Sequence, residues 1–135
     1  MISVREDTSV MDAVRTMQTH RIGAIVVLAP DGALKGIMSE REVISALTHQ
    51  GTKALEKSVR DFTPLGGPVV ALVDSIGNAA KIMTEHRARH LPAISGPDVV
   101  GLISIGDVVK ARLFEKIAEN AVLQDVARWP RPEFA

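Results

Sequence analysis

Gly36-Ile-Met-Ser-Glu-Arg-Glu-Val43 decides how this chain is read, because its plan occurs twice. Gly101-Leu-Ile-Ser-Ile-Gly-Asp-Val108 repeats it: glycine, two apolar residues, serine, two variable residues, a carboxylate, valine. A serine three residues ahead of a carboxylate, just after an apolar run, marks a helix start in which the two side chains satisfy free backbone donors. The same arrangement suits a phosphate and a ribose, since the first turn of a helix presents unpaired N–H groups at the positive end of its dipole.

The repetition extends outward from this stretch. With a shift of 66 residues, Val4, Ser9, Ala13, Met17, His20 and Arg21 fall on Val70, Ser75, Ala79, Met83, His86 and Arg87. One deletion changes the shift to 65, and Gly36, Ser39, Val43 and Ala46 then fall on Gly101, Ser104, Val108 and Ala111. An ordered match that needs one gap is a duplication, and each copy reads as strand, helix, strand, strand, helix. Ser9 caps a helix whose stripe is Val10, Ala13, Val14 and Met17; Ser75 caps one with Ile76, Ala79, Ala80 and Met83. Gly23 is expected to end the first helix. Ile25-Val-Val-Leu28 suits a strand covered on both faces, and Pro30-Asp31-Gly32 turns the chain into Leu34 to Met38. In copy two, Leu91 to Ile94 turns through Ser95 to Asp98 into Val99 to Ile103. Pro92 lacks a ladder donor and is expected at an edge or a strand start.

The expected class is mixed α/β, two βαββα repeats packed with pseudo-two-fold symmetry. The first repeat covers residues 1–57, the second with its linker segment 58–115, and an extended C-terminal helix and tail 116–135. The helical pattern runs from Val108 to about Val126, and Trp129 to Ala135 reads as a tail. The segment Ser58-Val-Arg-Asp-Phe-Thr-Pro64 has no counterpart ahead of copy one, which leaves room for further residues before Met1 in the natural protein.

Composition narrows the function. The 135 residues are 46% hydrophobic, with 16 basic and 16 acidic residues, no cysteine, three phenylalanines and one tryptophan. Balanced charge and few aromatics argue against a nucleic-acid face. The longest apolar run, Ile22 to Ala29, is too short to span a bilayer, and the start lacks the features of a secretory signal. A reducing, cytoplasmic setting is the expectation. His86 and His90 stand i, i+4 apart, but Pro92 speaks against a helix continuing past them, so no metal site is assigned. Gly101 to Gly106 has the frame of a phosphate loop, yet Asp-Val follows where Lys-Ser/Thr is needed. There is neither a nucleophile elbow nor a pair of catalytic acids, so no enzyme is expected. The doubled serine–carboxylate motif is either a pair of helix caps or a pair of caps that also hold a nucleoside phosphate. In the cluster His86-Arg87-Ala88-Arg89-His90, Arg89 offers guanidinium geometry suited to phosphate.

On His20 to Val27, Gly36 to Val43, Arg87 to Pro92 and Gly101 to Lys110 the chain resembles a CBS-domain pair, the Bateman module. It is most similar to short stand-alone bacterial members associated with signal transduction. The resemblance implies two clefts between the repeats that bind adenosine-containing ligands such as AMP, ADP, ATP or NAD(H), with no required cofactor. It implies that the carboxylate holds ribose, the serine faces phosphate and the backbone before the middle strand meets the base. Site one would use Ser39, Arg41 and Glu42 with Ile22, Gly23 and Ala24; site two would use Ser104 and Asp107 with Arg89, His90 and Leu91. Glu42 is one methylene longer than the family's aspartate, and Gly106 leaves no side chain where copy one has Arg41. Family habit also implies a homodimer and an unidentified regulated partner. The alternative is an interaction domain whose degenerate sites stay empty.

Overall fold

The computed structural model describes residues 1–123. The expected end of the last helix near Val126 and the tail from Trp129 lie outside them. The order is β1 (Ser3–Arg5), α1 (Val10–His20), β2 (Ala24–Leu28), β3 (Leu34–Ser39) and α2 (Glu40–Gln50), then β4 (Val70–Ala71), α3 (Ile76–His86), β5 (His90–Ser95), β6 (Asp98–Ser104) and α4 (Ile105–Leu123). Two short 3-10 turns, Gly51–Glu56 and Val59–Asp61, lie in the linker. The two copies build separate three-stranded sheets, ordered β1-β2-β3 and β4-β5-β6. In each, the first strand pairs parallel with the middle one and the last pairs antiparallel with it.

Local chemistry sets the helix ends. Ser9 Oγ accepts the Asp12 N–H at 3.1 Å, and Ser75 Oγ accepts the Asn78 N–H at the same distance. The first helix stops at His20, two residues earlier than a Gly23 terminator requires. Arg21 takes the left-handed conformation (φ 53°), its N–H donates to the Gln18 carbonyl, and Ile22 N–H donates to the Met17 carbonyl. These bonds, with Ile22 packed onto the core that holds Met17, form a Schellman cap. Arg87 (φ 52°), Thr84, Ala88 and Met83 repeat it at the end of α3. A glycine would adopt this conformation more easily, so each arginine costs its cap about 1 kcal/mol.

Two apolar clusters follow from the helical stripes. Val10, Ala13 and Met17 meet Ile25, Val27 and Met38 in copy one, and Ala79 and Met83 meet Leu91, Ala93 and Val108 in copy two. Side chains alternate faces along a strand. Val26 and its counterpart Pro92 lie out of phase with these clusters yet are buried, so both middle strands are covered on both faces. Pro92 is therefore in a central strand, against the expectation of an edge or a start. It stands one residue ahead of Ala93 and Ile94, the only positions of β5 paired to the short β4, so its missing N–H breaks no bond on that side.

The linker packs on repeat one, although in the chain it leads into repeat two. Val59 is fully buried in the first cluster, with Leu55 and Phe62 beside it. The chain then crosses β3 at Gly36, where a Cβ would lie 2.5 Å from the Pro64 carbonyl oxygen and 2.9 Å from Thr63 Cγ2. Gly36 is required by that approach, since backbone on the opposing side cannot swing away. Gly36→Ala should cost about 1–3 kcal/mol, the range for forcing extra atoms into packed structure. Thermal melts check this: a clear fall in melting temperature is expected, and an unchanged one would show that the linker can lift.

Candidate functional site

Both helix starts are built as caps. Glu42 Oε2 accepts the Ser39 N–H at 2.9 Å and also meets the Ser39 hydroxyl. In copy two, Ser104 N–H donates to Asp107 Oδ2 at 2.9 Å and Asp107 N–H donates to Ser104 Oγ at 3.1 Å. Each carboxylate uses one oxygen in this way. Among the described residues, Glu42 Oε1 and Asp107 Oδ1 accept no hydrogen bond, so capping leaves an oxygen on each for a further donor.

The main cleft runs between the repeats and measures about 700 Å³. That lies within the range of sites that enclose a small molecule. Its first wall is Gly23 with the start of α2, Ser39 to Glu42, and its second is the segment His86 to His90. The linker, from Pro64 through Gly66, Gly67 and Pro68 to Val69, closes a further side. Of the residues expected from sequence, Gly23, Ser39, Arg41, Glu42, Arg89 and His90 meet here. Arg89 and His90, grouped by sequence with Ser104 and Asp107, thus line the same cleft as Ser39 and Glu42. Ala24 and Leu91 are fully buried in their sheets and can offer only backbone. Ile22 packs on the first cluster, and Ser104 and Asp107 do not line this cleft.

Charge in the cleft is unbalanced toward the cationic. Arg41, Arg87, Arg89 and Lys35 line it against the carboxylates of Glu40 and Glu42. Lys35 is held by Glu6 at 3.4 Å, whereas no ion pair engages Arg41, Arg87 or Arg89 among the described residues. Three arginines that line one cavity and hold no ion pair among the described residues suit a phosphate, to which a guanidinium can give two parallel N–H bonds. Arg87 lines the cleft from a left-handed backbone, the conformation that Arg21 takes in copy one, and glycine there would relieve the strain.

Glu40 and His90 both approach Gly23, at distances where a Cβ would make ordinary contacts. A Cβ there would come within 3.4 Å of Glu40 Oε1 and 3.5 Å of the His90 ring. Burial holds the His90 imidazole below its ordinary pKa, against the pull of the Glu40, Asp107 and Glu42 carboxylates, and Arg89 adds to the lowering. Asp107 therefore lies near enough to act on a residue of the main cleft, so His90 stands between the two serine–carboxylate motifs. His86 ends α3 and His90 opens β5, so the pair do not share a helical face.

Sequence reasoning missed the linker wall and Arg87. Gly66-Gly67-Pro68 reads only as a connection, and nothing in its composition says which repeat it crosses. Arg87 fell within the basic cluster, but the cap that fixes its backbone was assigned to a glycine in the other copy.

The CBS domain family model matches residues 1–49 and 59–113, which together hold both repeats. The mitochondrial CBS domain-containing protein CBSX3 of Arabidopsis thaliana is 34% identical over 126 residues, covering 87% of this chain and 61% of that protein. The chain thus spans less than two thirds of that relative's length. A crystal structure of a CBS-domain containing protein from Agrobacterium tumefaciens superposes with a TM-score of 0.78 at 37% identity, covering 83% of this chain and 84% of that one. The structure of CBSX2 in complex with AMP superposes with a TM-score of 0.74 at 25% identity, covering 86% and 90%. Two duplicated repeats, their strand order and the matched residues agree: the chain belongs to the CBS-domain family.

Proposed function

We propose that this chain is a regulatory module that senses an adenosine-containing nucleotide in the cleft between its repeats. The observation that carries the reading is the set of arginines without an ion pair among the described residues, Arg41 beside Ser39 and Glu42 and Arg87 and Arg89 across from them, lining one cavity of about 700 Å³. The relative crystallised with AMP supports the ligand class. In this reading the base lies against the backbone of Ile22 to Ala24, and the free oxygen of Glu42 takes a ribose hydroxyl. The phosphate faces the helix start at Ser39 and the arginines. AMP, ADP, ATP and NAD(H) share that chemistry.

Binding acts by bridging the two copies, because the arginines Arg87 and Arg89 belong to repeat two and Ser39 and Glu42 to repeat one. A ligand shifts the arrangement of the repeats by its differential affinity for the alternatives and by no more. The exposed apolar side chains Ile105, Val109 and Phe114 of α4, with Ile44 and Leu47 of α2, support a second copy or a regulated protein as the recipient of that change. No described helix is long and apolar enough to cross a membrane.

Arg87 separates this reading from that of an empty interaction domain. Arg87→Gly relieves about 1 kcal/mol of backbone strain, so melting temperature should hold or rise. Losing a charge-assisted phosphate bond worth about 1.5–3 kcal/mol should weaken AMP binding by about 10- to 100-fold in calorimetry. Arg21→Gly makes the same backbone change outside the cleft lining and should leave affinity unchanged. Equal affinity in both variants, or no AMP binding by the parent chain, would favour the empty domain.

His90 gives a second check, on pH. An unfolded histidine titrates near 6.5 and His90 in the fold titrates lower, so between those values the unfolded chain binds more protons. The contribution of His90 to stability is therefore present above about pH 6.5 and is lost as pH falls through its folded value. Glu40, Glu42, Asp107 and Arg89 remain in place in a His90→Gln variant, which should lose less melting temperature than the parent on acidification from pH 7 to 5. Parallel curves would show that His90 does not set this dependence.

A further inference from the structure

His90 is a single side chain that reaches both copies of the repeated plan. It opens β5, where its register partner is Ser104 of the second motif. Its ring reaches repeat one: Cε1 and Nε2 lie 3.5 Å from the point that a Gly23 Cβ would occupy, and Glu40 Oε1 lies 3.4 Å from the same point. No ion pair joins Glu40 to His90 among the described residues. The imidazole is half-buried and lines the main cleft together with Arg41, Arg87 and Arg89.

The duplication does not repeat this arrangement. The counterpart of His90 is Ala24, which is paired with Ser39 as His90 is with Ser104, and is fully buried. Arg89 occupies the place of Gly23, and Ile105 that of Glu40. Exchanging the repeats therefore yields no second pair of imidazole and carboxylate. The pair belongs to one cleft alone.

The charges around the ring come from several elements. Glu40 and Glu42 of α2 and Asp107 of α4 favour a proton on it, and Arg89, just ahead of β5, opposes one. Arg41, Arg87 and His86 also line the cleft, Lys35 of β3 is taken up by Glu6, and the linker wall carries no charge. Burial outweighs the three carboxylates and holds the ring below its ordinary value. A phosphate monoester brings a charge of about −1.5 to −2 at neutral pH. Set among these groups, it adds to the carboxylates and offsets Arg89, which turns the balance at the ring toward the proton.

We propose that the main cleft takes up its anion together with a proton on His90, each strengthening the binding of the other by reciprocal linkage. With both ring nitrogens as donors, the imidazolium serves the ligand with one and Glu40 of repeat one with the other. The module thus reads acidity and nucleotide as one signal. This inference rests on the phosphate reading of the cleft and adds a proton to it.

Calorimetric titration with AMP between about pH 8 and pH 5.5 tests it, in the parent, His90→Gln and Glu40→Gln. The AMP phosphate itself titrates near 6 in every sample, so the quantity read is the ratio of parent affinity to His90→Gln affinity. That ratio should rise about tenfold on acidification. Titrations in buffers of unlike ionisation enthalpy should show the parent taking up protons on binding that His90→Gln does not. Glu40→Gln keeps the ring in place and removes the strongest carboxylate pull on its proton, so the rise in affinity should move to lower pH. This variant also carries the test if His90→Gln does not fold. A ratio flat with pH, equal proton uptake by parent and His90→Gln, or an unmoved profile in Glu40→Gln would overturn the inference and leave the phosphate reading standing. No AMP binding by the parent at any pH would overturn both.

Discussion

The passage of the linker over Gly36 is the constraint on which this structure depends. The Pro64 carbonyl and the Thr63 side chain occupy the space that any Cβ at position 36 would need. That contact holds the connection against repeat one, where Val59 completes a core that the helical stripe and the sheet leave open. It also fixes where Pro64 to Val69 run, and so supplies one side of the cleft. Stability and site share one close approach of backbone to backbone. In repeat two the matching glycine faces open space, which makes the two copies unequal despite their common plan.

The duplicated helix start shows how one geometry serves two ends. As a cap, the carboxylate of Glu42 or Asp107 contributes about 1 kcal/mol by satisfying a backbone donor. That use engages a single oxygen, and the second is left toward solvent or ligand. The larger electrostatic term lies in the cleft, which is lined by three arginines that have no ion-pair partner among the described residues. Exposed cations lose little in water, so their convergence stabilises the fold hardly at all. It becomes favourable when an anion arrives.

Much of this architecture was legible in the chain. Shifts of 66 and 65 residues revealed two copies, and apolar spacing with serine caps set the helices and the succession of strand, helix, strand, strand, helix within each copy. The misreadings have physical causes. Gly23 looked like a terminator because glycine is the usual left-handed residue, but a Schellman cap needs only the right hydrogen bonds and an apolar contact, which Ile22 and Met17 provide at Arg21. Pro92 looked like an edge residue because sequence cannot show how short β4 is. Clefts between the repeats were expected, but grouping site residues by copy could not show that Arg89 and His90 share a cleft with Ser39 and Glu42, since that follows from packing between repeats and from a linker whose Gly-Pro composition carries no direction.

The central claim is that ligand binding bridges the two repeats through the linker-walled cleft. Amide chemical shifts recorded by NMR during an AMP titration test it most directly. The account predicts saturable changes that include Gly23, Ser39 to Glu42 and the linker glycines Gly66 and Gly67 on one side, and Arg87 to His90 on the other, with all of them following one binding curve. Changes confined to one repeat, or no saturable change at any of these amides, would contradict it.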